Sequence, residues 1–343
     1  MKKRIVSICL VTVFFFLSTV MTFAGGSAAK EATKGGYEEW FYTANNADLD
    51  TADPYGSTGA PAQFFTNLTF DTVTYVDSDT GKVVGQLAES WKDVSSSKDG
   101  AVWEFYLRPG VTFHNGDKMT AEDVKFTWEY AAVGAGKVVK PLSAAAYVSS
   151  MEVVNDLTIR YTLKSPMPDF PSYLETKIFS KKAFDTMPAA AASVIGTGPY
   201  FYDRENTKSG VQFVATRYDK YWEGIDDYKT KHICFKVIPD LNTTVAALQA
   251  HELDLSFTVP VAAYKMLTAD KNLNVITRSG AQSWYLGFNY SRDRFKNLEL
   301  RKAIAQAINK ETLSLWLTKA VSAEQPTITS VCQPGWGMPK WKE

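Results

Sequence analysis

The sequence has few of the residue types from which catalytic centres and metal sites are built. Its 343 residues include three cysteines and only three histidines, His114, His232 and His251. The histidines are widely separated, and neither an HExxH nor a GxSxG motif occurs. A secreted hydrolase needs a nucleophile beside a base, or a cluster of metal ligands. The sequence therefore disfavours a hydrolase, and it predicts no metal site and no cofactor.

An excess of charge of either sign is also missing. Lysine and arginine total 37, and aspartate and glutamate total 37 as well. Without a basic surface, the chain lacks the electrostatic attraction on which nucleic-acid binding depends. Aromatic residues, in contrast, make up 13% of the chain, enough for a stable core and for stacking walls around a sugar or a peptide. The composition disfavours nucleic acid as a partner and is compatible with a site for a small solute.

The first 24 residues have the pattern of a secretory signal. Basic residues at positions 2–4 precede an apolar run over residues 5–20, and the small residue Ala24 suits a cleavage site. The alternative is a membrane anchor, but the run is short for a stable span and contains serine and threonine. Cys9 follows a bulky isoleucine, which disfavours lipidation. The pattern predicts an exported periplasmic or extracellular protein, cleaved after Ala24.

Two cysteines, Cys234 and Cys332, lie beyond this signal. An exported protein can form disulfides. The sequence does not establish whether these two residues lie close enough to pair, so pairing stays open.

The most informative stretch runs from residue 87 to residue 130. Aromatic-rich alternation over residues 102–107 predicts a strand. A second, short strand is predicted over residues 111–113, before a tight turn at Asn115 and Gly116. Further strands are predicted over residues 37–43, 151–154, 158–163, 200–203, 211–215 and 232–238, and a helix is predicted over residues 63–68.

Three other helices carry clear sequence signals. The first begins at Thr120, with Asp123 three residues on as an acidic variant of the capping box. The second is predicted from Asn242, which would cap it. The apolar stripes have helical spacing. They consist of Val124, Trp128 and Ala131 or Ala132 in the first helix, Val245 and Leu248 in the second, and Leu300, Ile304, Ala307 and Ile308 in the third.

In order and spacing, the segments LAESW, a DG turn, WEFYLRPGVTFHNGD and TAEDVKF resemble the signature of the family 5 extracellular solute-binding proteins. These are the dipeptide-, oligopeptide- and nickel-binding proteins of ABC importers. Two more stretches resemble the family, GTGPY at 196–200 and SWYLGFN at 283–289. The glycines of the former do not form a nucleotide loop, because no GxGxxG or Walker motif surrounds them. We expect the signature to build the fold, and His114 to be a turn or surface residue rather than a metal ligand.

The resemblance implies an α/β, periplasmic-binding-protein-like bilobal fold of type II with an extra subdomain. Residues 25–70 and 193–288 would form the core of the first lobe, and residues 71–192 an inserted subdomain. Residues 289–343 would begin a second lobe. Because that lobe continues much further in the family, the second lobe is predicted to be incomplete and the chain to be C-terminally truncated. A glycine is usual in the family where His251 stands, at an implied left-handed helix terminus that histidine tolerates.

The resemblance also points to ligand-binding residues. Thr58, Gly59 and Ala60 resemble the segment whose backbone pairs with a bound peptide in the oligopeptide-binding proteins. Gly59 suits that role because it lets another backbone approach, although an ordinary turn glycine explains it equally well. Trp284 and Tyr285 are further candidates, since they precede the asparagine of a strand that crosses between lobes. Neighbours on a strand point in opposite directions, so one of the two faces the core.

The implied function is solute capture for an ABC importer, together with its permease subunits and as a monomer. Peptide is the first candidate ligand. Nickel chelates, haem and oligosaccharides are alternatives within the family, and a chemosensory binding protein without a transport role stays open. In oligopeptide-binding relatives, the acidic residue that pairs with the peptide amino group lies beyond the matched part. We therefore expect this chain to bind its ligand weakly or not at all.

Overall fold

The computed structural model describes residues 20–24, 39–77, 80–133, 143–277, 287–309 and 312. The chain divides into two compact units. The described residues from 39 to 239 belong to the first unit, and residues 20–24 and those from 240 onward belong to the second. None of the helices in these ranges is both long enough and apolar enough to cross a membrane.

Strands and helices are numbered along the chain, beginning with β1 (Val20–Ala24) of the second unit. The strands of the first unit are β2 (Trp40–Asn45), β3 (Thr74–Val76), β4 (Val83–Gly85), β5 (Ala88–Asp93), β6 (Val102–Leu107), β7 (Val148–Asn155), β8 (Thr158–Leu163), β9 (Tyr200–Lys208), β10 (Gln212–Arg217) and β11 (His232–Val237). Its helices are α1 (Ala60–Thr69), α2 (Ala121–Val133), α3 (Lys181–Thr186) and α4 (Ala189–Ala192).

One sheet of the first unit has the order β2-β11-β10-β9. β2 and β11 are parallel, whereas β10 is antiparallel to both of its neighbours. Helix α1 packs on this sheet through Phe65, whose ring centroid lies 5.7 Å from that of Phe213 and 6.1 Å from that of Phe235. The predicted helix over residues 63–68 is confirmed, and it begins earlier than predicted.

A second sheet of the first unit has the order β5-β6-β8-β7 and is antiparallel throughout. The alternation in β6 buries Trp103, Phe105 and Leu107 on one face. Helix α2 covers this face, and the ring of Trp128 lies 5.2 Å from that of Tyr161. The predicted strand is therefore confirmed. The helix stripe of Val124, Trp128 and Ala131 is buried, as predicted.

The other face of this sheet carries charges that alternate in sign across the four strands. Lys92 pairs with Glu104, Glu104 with Arg160, and Arg160 with Glu152 in the strand register. Arg160 forms ion pairs of 2.7 Å with Glu104 and 2.6 Å with Glu152. Opposite charges on directly paired positions stabilise a sheet. This charge ladder makes one face polar while the other face is buried.

The strand predicted over residues 111–113 is wrong. The described residues there form only an isolated bridge between Thr112 and Lys118. The reason is the turn that follows, in which the N–H of Gly116 donates to the carbonyl oxygen of Phe113 at 2.8 Å, with a φ of 85° at the glycine. The predicted turn is thus confirmed, but it leaves too few residues for a strand before it.

The second unit contains β1, β12 (Leu255–Ser256), β13 (Leu273–Thr277), α5 (Leu241–Gln249), α6 (Tyr264–Ala269) and α7 (Leu298–Ala307). β1 is antiparallel to both β12 and β13, and Ala24 pairs with Leu273. Helix α5 is capped by Asp240, whose side chain accepts from the Thr243 N–H at 2.8 Å. The prediction that Asn242 caps it was wrong, because the helix already includes Asn242.

Two other sequence predictions concern this unit. His251 follows α5 with a φ of 58°, which confirms the left-handed conformation. Helix α7 begins at the cap residue Asn297, whose Oδ1 accepts from the N–H groups of Glu299 and Leu300. No residue of α7 is buried among the described residues, and Leu298 is 52% exposed. The apolar stripe of this helix is therefore uncovered in the part of the chain that the structure describes.

Candidate functional site

The first sheet brings the carboxyl ends of β2 and β11 to one edge. Asn45 at the end of β2 pairs with Val237 at the end of β11. The Ile238 N–H donates to the carbonyl oxygen of Asn45 at 2.7 Å. In open α/β sheets, ligands bind outside the carboxyl ends of parallel strands. We name this region, made of Asn45, Val237 and residues 46–60, the carboxyl edge.

The segment after β2 stays at this edge. Asp48 Oδ2 accepts a hydrogen bond of 2.6 Å from the N–H of Gly210, in the turn between β9 and β10. That turn lies beside the end of β11, because β10 begins where the antiparallel β11 finishes. Asp50 Oδ2 in turn accepts a 2.6 Å hydrogen bond from Ser57 Oγ. Through these contacts, the chain between β2 and the start of α1 stays at the carboxyl edge.

Helix α1 runs from the carboxyl edge to the opposite edge of the sheet. Its last residue, Thr69, accepts a 3.1 Å hydrogen bond from the N–H of Gly198, just before β9. A Cβ atom at Gly196 would collide with the carbonyl oxygen of Thr69, so the backbone approach requires glycine there. The glycines of the GTGPY stretch therefore serve the packing of α1. The amino end of α1, with residues 58–60, lies at the carboxyl edge.

The structure describes three of the five predicted ligand-binding residues, Thr58, Gly59 and Ala60. The N–H of Gly59 donates to Ser57 Oγ at 2.9 Å, and its carbonyl oxygen accepts from the N–H of Gln63 at 3.1 Å. Thr58 is exposed, and within the described ranges no hydrogen bond occupies its backbone N–H or carbonyl oxygen. Thr58, rather than Gly59, thus presents an available main chain.

Two buried polar side chains in β2 escaped the sequence analysis. Thr43 is 1% exposed and Asn45 is 6% exposed. Neither Thr43 Oγ1 nor Asn45 Nδ2 has a hydrogen-bond partner among the described residues. No sequence motif marks them, and the strand predicted over residues 37–43 ends at Thr43 and does not reach Asn45.

A buried carboxylate lies just beyond the other end of α1. Asp71 accepts hydrogen bonds from Gln86 Nε2 at 2.8 Å, from the Tyr221 hydroxyl at 3.1 Å and from Trp222 Nε1 at 2.8 Å. Burial raises the pKa of Asp71 to about 7, against the opposing effect of these hydrogen bonds. The carboxylate connects Gln86 with the neighbouring residues Tyr221 and Trp222, so it is part of the core of the first unit rather than of the carboxyl edge.

His114 is held inside the first unit by the same GTGPY stretch. Its Nδ1 accepts from the N–H of Gly196 at 3.2 Å, so Nε2 carries the proton and donates to the carbonyl oxygen of Gly198 at 2.9 Å. Burial lowers the pKa of His114 to about 4, which keeps the ring neutral. The prediction of a turn histidine is confirmed, since His114 lies in the turn from Phe113 to Gly116, and both of its ring nitrogens also take part in the packing.

No group of three or more histidine, cysteine, aspartate or glutamate residues that could hold a metal occurs in the described ranges. Cys234 is buried and free there. Cys332 lies outside the described residues. Trp284 and Tyr285, the two other predicted ligand-binding residues, also lie outside them.

Comparison with known proteins places this geometry in context. Residues 82–337 match the family model of the bacterial extracellular solute-binding proteins, family 5 middle. The oligopeptide-binding protein AppA of Bacillus subtilis (strain 168) is 27% identical, over 91% of this chain and 59% of its own length. The heme-binding protein A of Haemophilus influenzae is 28% identical, over 70% of this chain and 48% of its own length. The chain thus spans about half the length of the curated relatives it matches.

Among solved structures, the ABC transporter-associated periplasmic binding protein DppA from Helicobacter pylori, in complex with the peptide STSA, is similar with a TM-score of 0.71. It is 24% identical, and the match covers 82% of this chain and 59% of that one. The likeness confirms the predicted α/β fold of the periplasmic-binding-protein kind.

Proposed function

Because the chain belongs to the bacterial extracellular solute-binding proteins of family 5, we propose that it captures peptides for an ABC importer and delivers them to the permease subunits. In this proposal it acts outside the cytoplasm as a monomer and catalyses no reaction. The ligand lies at the carboxyl edge of the first unit, and the lobes have the boundaries predicted from the sequence. In the same proposal, Trp284 or Tyr285 contributes an aromatic side chain to the ligand site, as the family resemblance implies.

The available main chain of Thr58 is the observation that carries this proposal. An extended peptide is recognised by adding it as a strand to exposed backbone, so that N–H and carbonyl groups pair. Backbone groups on one edge of a strand recur at every second residue. Gly59 uses its own groups internally, whereas Thr58 offers both of its groups. Ala60 lies in the first turn of α1, where backbone N–H groups have no partner within the helix.

The names of similar proteins support peptide as the ligand. One relative is named for oligopeptides, and one solved structure holds a tetrapeptide. Haem remains the second candidate, because a relative named for haem is 28% identical. Nickel chelates and oligosaccharides are further alternatives, and no specific observation on this chain favours either of them.

A titration with tri-, tetra- and pentaalanine, followed by NMR chemical shifts to detect weak binding, tests the proposal. Thr58→Pro removes the N–H donor, and we expect about tenfold weaker binding, as for the loss of a hydrogen bond with one partner left unpaired. The matched control is Thr58→Ala, which keeps the backbone and should bind like the wild type. Binding of hemin but of no alanine peptide would move the proposal to haem. Equal peptide binding by both variants would contradict the role of the Thr58 backbone.

Export after cleavage at Ala24 is part of the same proposal. In the structure Ala24 is paired within β1, and a paired backbone resists proteolysis until it opens. Cleavage after Ala24 therefore has to occur before β1 pairs, and it would leave an exported chain without the strand that lies between β12 and β13. The intact mass of the exported protein tests this, since retention of Met1 would contradict cleavage after Ala24.

A further inference from the structure

Asp50 is exposed on the carboxyl edge, and its carboxylate is held by the residues on both sides of Thr58. Ser57 Oγ donates a 2.6 Å hydrogen bond to Asp50 Oδ2. The same Ser57 Oγ accepts a 2.9 Å hydrogen bond from the N–H of Gly59. A Cβ atom at Gly59 would lie 3.9 Å from Asp50 Oδ2. The carboxylate therefore lies next to both neighbours of Thr58, the residue whose main chain is available.

The carboxylate of Asp50 has room for a further partner. A carboxylate accepts about four hydrogen bonds. Within the described ranges, Oδ1 accepts one from the Thr51 N–H at 2.9 Å, and Oδ2 accepts the one from Ser57. No lysine or arginine in these ranges forms an ion pair with Asp50. Because Asp50 is exposed, a ligand reaches the remaining acceptor positions directly from solvent.

Ser57 connects this carboxylate to the packed part of the first unit. Ser57 is buried, at 3% exposed, and its carbonyl oxygen accepts a 3.1 Å hydrogen bond from Gln63 Nε2 of α1. A side chain that is positioned before binding loses little conformational freedom when a ligand pairs with it. Asp50 therefore offers a positioned negative charge beside the main chain of Thr58.

We infer that Asp50 binds the free amino group of a peptide at the carboxyl edge, so that the protein prefers peptides with an unblocked amino end. The inference rests on the proposed function and adds a charged side chain to the main-chain groups of Thr58. A strand that pairs with exposed backbone lies about 4.8 Å from it. The first residue of a peptide paired with Thr58 therefore has its ammonium group near the carboxylate. Hydrogen bonds between such charged groups are stronger than those between neutral groups.

A role in helix stability is the competing explanation for Asp50. Gly59 is the cap residue of α1, and the amino end of a helix favours a negative charge nearby. If the carboxylate served only the helix, Asp50→Asn would lower the melting temperature and leave the preference for a free amino group unchanged. The two roles therefore predict different results for the same variant.

The test compares trialanine with N-acetyl-trialanine, which lacks the ammonium group, by NMR titration of the wild type, Asp50→Asn and Asp48→Asn. Asparagine keeps the size of the side chain and removes its charge. Asp48→Asn is the matched control, because Asp48 lies in the same segment but its Oδ2 accepts from the N–H of Gly210. The wild type and Asp48→Asn should bind trialanine about tenfold more tightly than the acetylated peptide. Asp50→Asn should bind trialanine about tenfold more weakly than the wild type and show no preference.

The outcomes separate the inference from the proposed function. Equal binding of the two peptides by the wild type would overturn the inference and leave peptide binding intact. An unchanged preference in Asp50→Asn would also overturn it, and so would an equal loss in Asp48→Asn, since the effect would then come from the net charge of the edge. A wild-type chain that binds neither peptide contradicts the proposed function, and the assignment of Asp50 falls with it. Loss of the preference in Asp50→Asn alone supports the inference.

Discussion

Helices α2 and α7 begin with similar local signals and end in different environments. Each has a polar residue at its start that bonds to the first turn, and each has an apolar stripe with helical spacing. In α2 the stripe is buried against the aromatic core of the second sheet of the first unit. In α7 no residue is buried within the described part of the chain. An amphipathic pattern therefore identifies the apolar face of a helix. It does not determine whether other residues of the chain pack against that face.

The difference bears on stability, because a helix in water gains most of its stability from the packing of its apolar face. The stripe of α2 contacts the rings of Tyr161 and Phe170 through Trp128. Leu300 and Ile308 at the two ends of the α7 stripe are more than a third exposed, at 38% and 39%. We expect α7 to open locally at a lower cost in free energy than α2.

The sharpest test of this comparison replaces one residue of each stripe. Trp128→Ala should lower the free energy of unfolding of the first unit by about 3–5 kcal/mol, because it leaves a large cavity in the core. Leu300→Ala should change it by less than about 0.5 kcal/mol, as is usual at exposed positions. Urea unfolding followed by tryptophan fluorescence and by circular dichroism measures both. Effects of equal size would show that α7 is packed as firmly as α2.

A buried carboxylate also distinguishes the first unit, since the described residues of the second unit include no buried acidic side chain. The pKa of Asp71 is about 7 in the folded chain, against an ordinary value of 3.8. The folded state therefore holds the proton more tightly, and this contribution to stability is complete below pH 4 and is lost as the pH rises to about 7. The loss amounts to at most about 4 kcal/mol.

Asp71→Asn should remove this pH dependence, because an amide keeps the size of the side chain and does not ionise. Melting temperatures of wild type and variant between pH 4 and pH 8 provide the measurement. The difference between them should grow with pH in favour of the variant. A difference that does not change with pH would mean that Asp71 is ionised throughout this range.

The two units also differ in their ion pairs, and we expect a smaller difference in stability from these than from Asp71. Arg160 lies in the charge ladder between Glu104 and Glu152, whereas Lys302 of α7 pairs with Glu299 at 3.0 Å on an exposed surface. We expect Arg160→Ala to lower the free energy of unfolding more than Lys302→Ala does, since Arg160 has two carboxylate partners and exposed pairs are screened by water and salt. Double-mutant cycles with Glu104 and Glu299 measure the two coupling energies. A larger coupling in α7 would reverse the comparison.

A last contrast concerns two residues in left-handed conformations, one in each unit. His251 has a φ of 58° and Lys98 a φ of 55°. Replacement of His251 by glycine should stabilise the second unit by about 1 kcal/mol, because glycine adopts this conformation without steric cost. Lys98→Gly should gain less, because it also removes the hydrogen bond from Lys98 Nζ to the Asp93 carbonyl oxygen. Thermal unfolding of both variants provides the comparison, and destabilisation by His251→Gly would contradict it.

Local signals in the sequence predicted much of the fold. The strand β6, the hairpins β7–β8 and β9–β10 and the helix α2 follow from alternation, turn residues and helical spacing, all of which act within a few residues. The left-handed residue after α5 was predicted from the family pattern. The errors were local as well, since Asp240 rather than Asn242 caps α5 and the tight turn leaves no strand at 111–113.

The predicted site was located only in part by the structure. Thr58, Gly59 and Ala60 lie at the carboxyl edge, and hydrogen bonds to Ser57 and Gln63 determine which of their backbone groups stay available. The division into lobes, the incomplete second lobe and the roles of Trp284 and Tyr285 stay predictions. Ligand binding by variants of Trp284 and Tyr285 tests the roles of these two residues.

By itself, the sequence determined the type of most elements, the polar and apolar faces of the helices and the family. These depend on backbone preferences and on residue spacing, which are properties of short segments. Only the tertiary structure decided which faces are covered, that Asp71 meets Gln86 and Tyr221, and that the buried amide nitrogen of Asn45 has no partner among the residues the structure describes. Each of these depends on contacts between residues far apart in the chain, and such contacts are set by the order and register of the strands rather than by any local pattern.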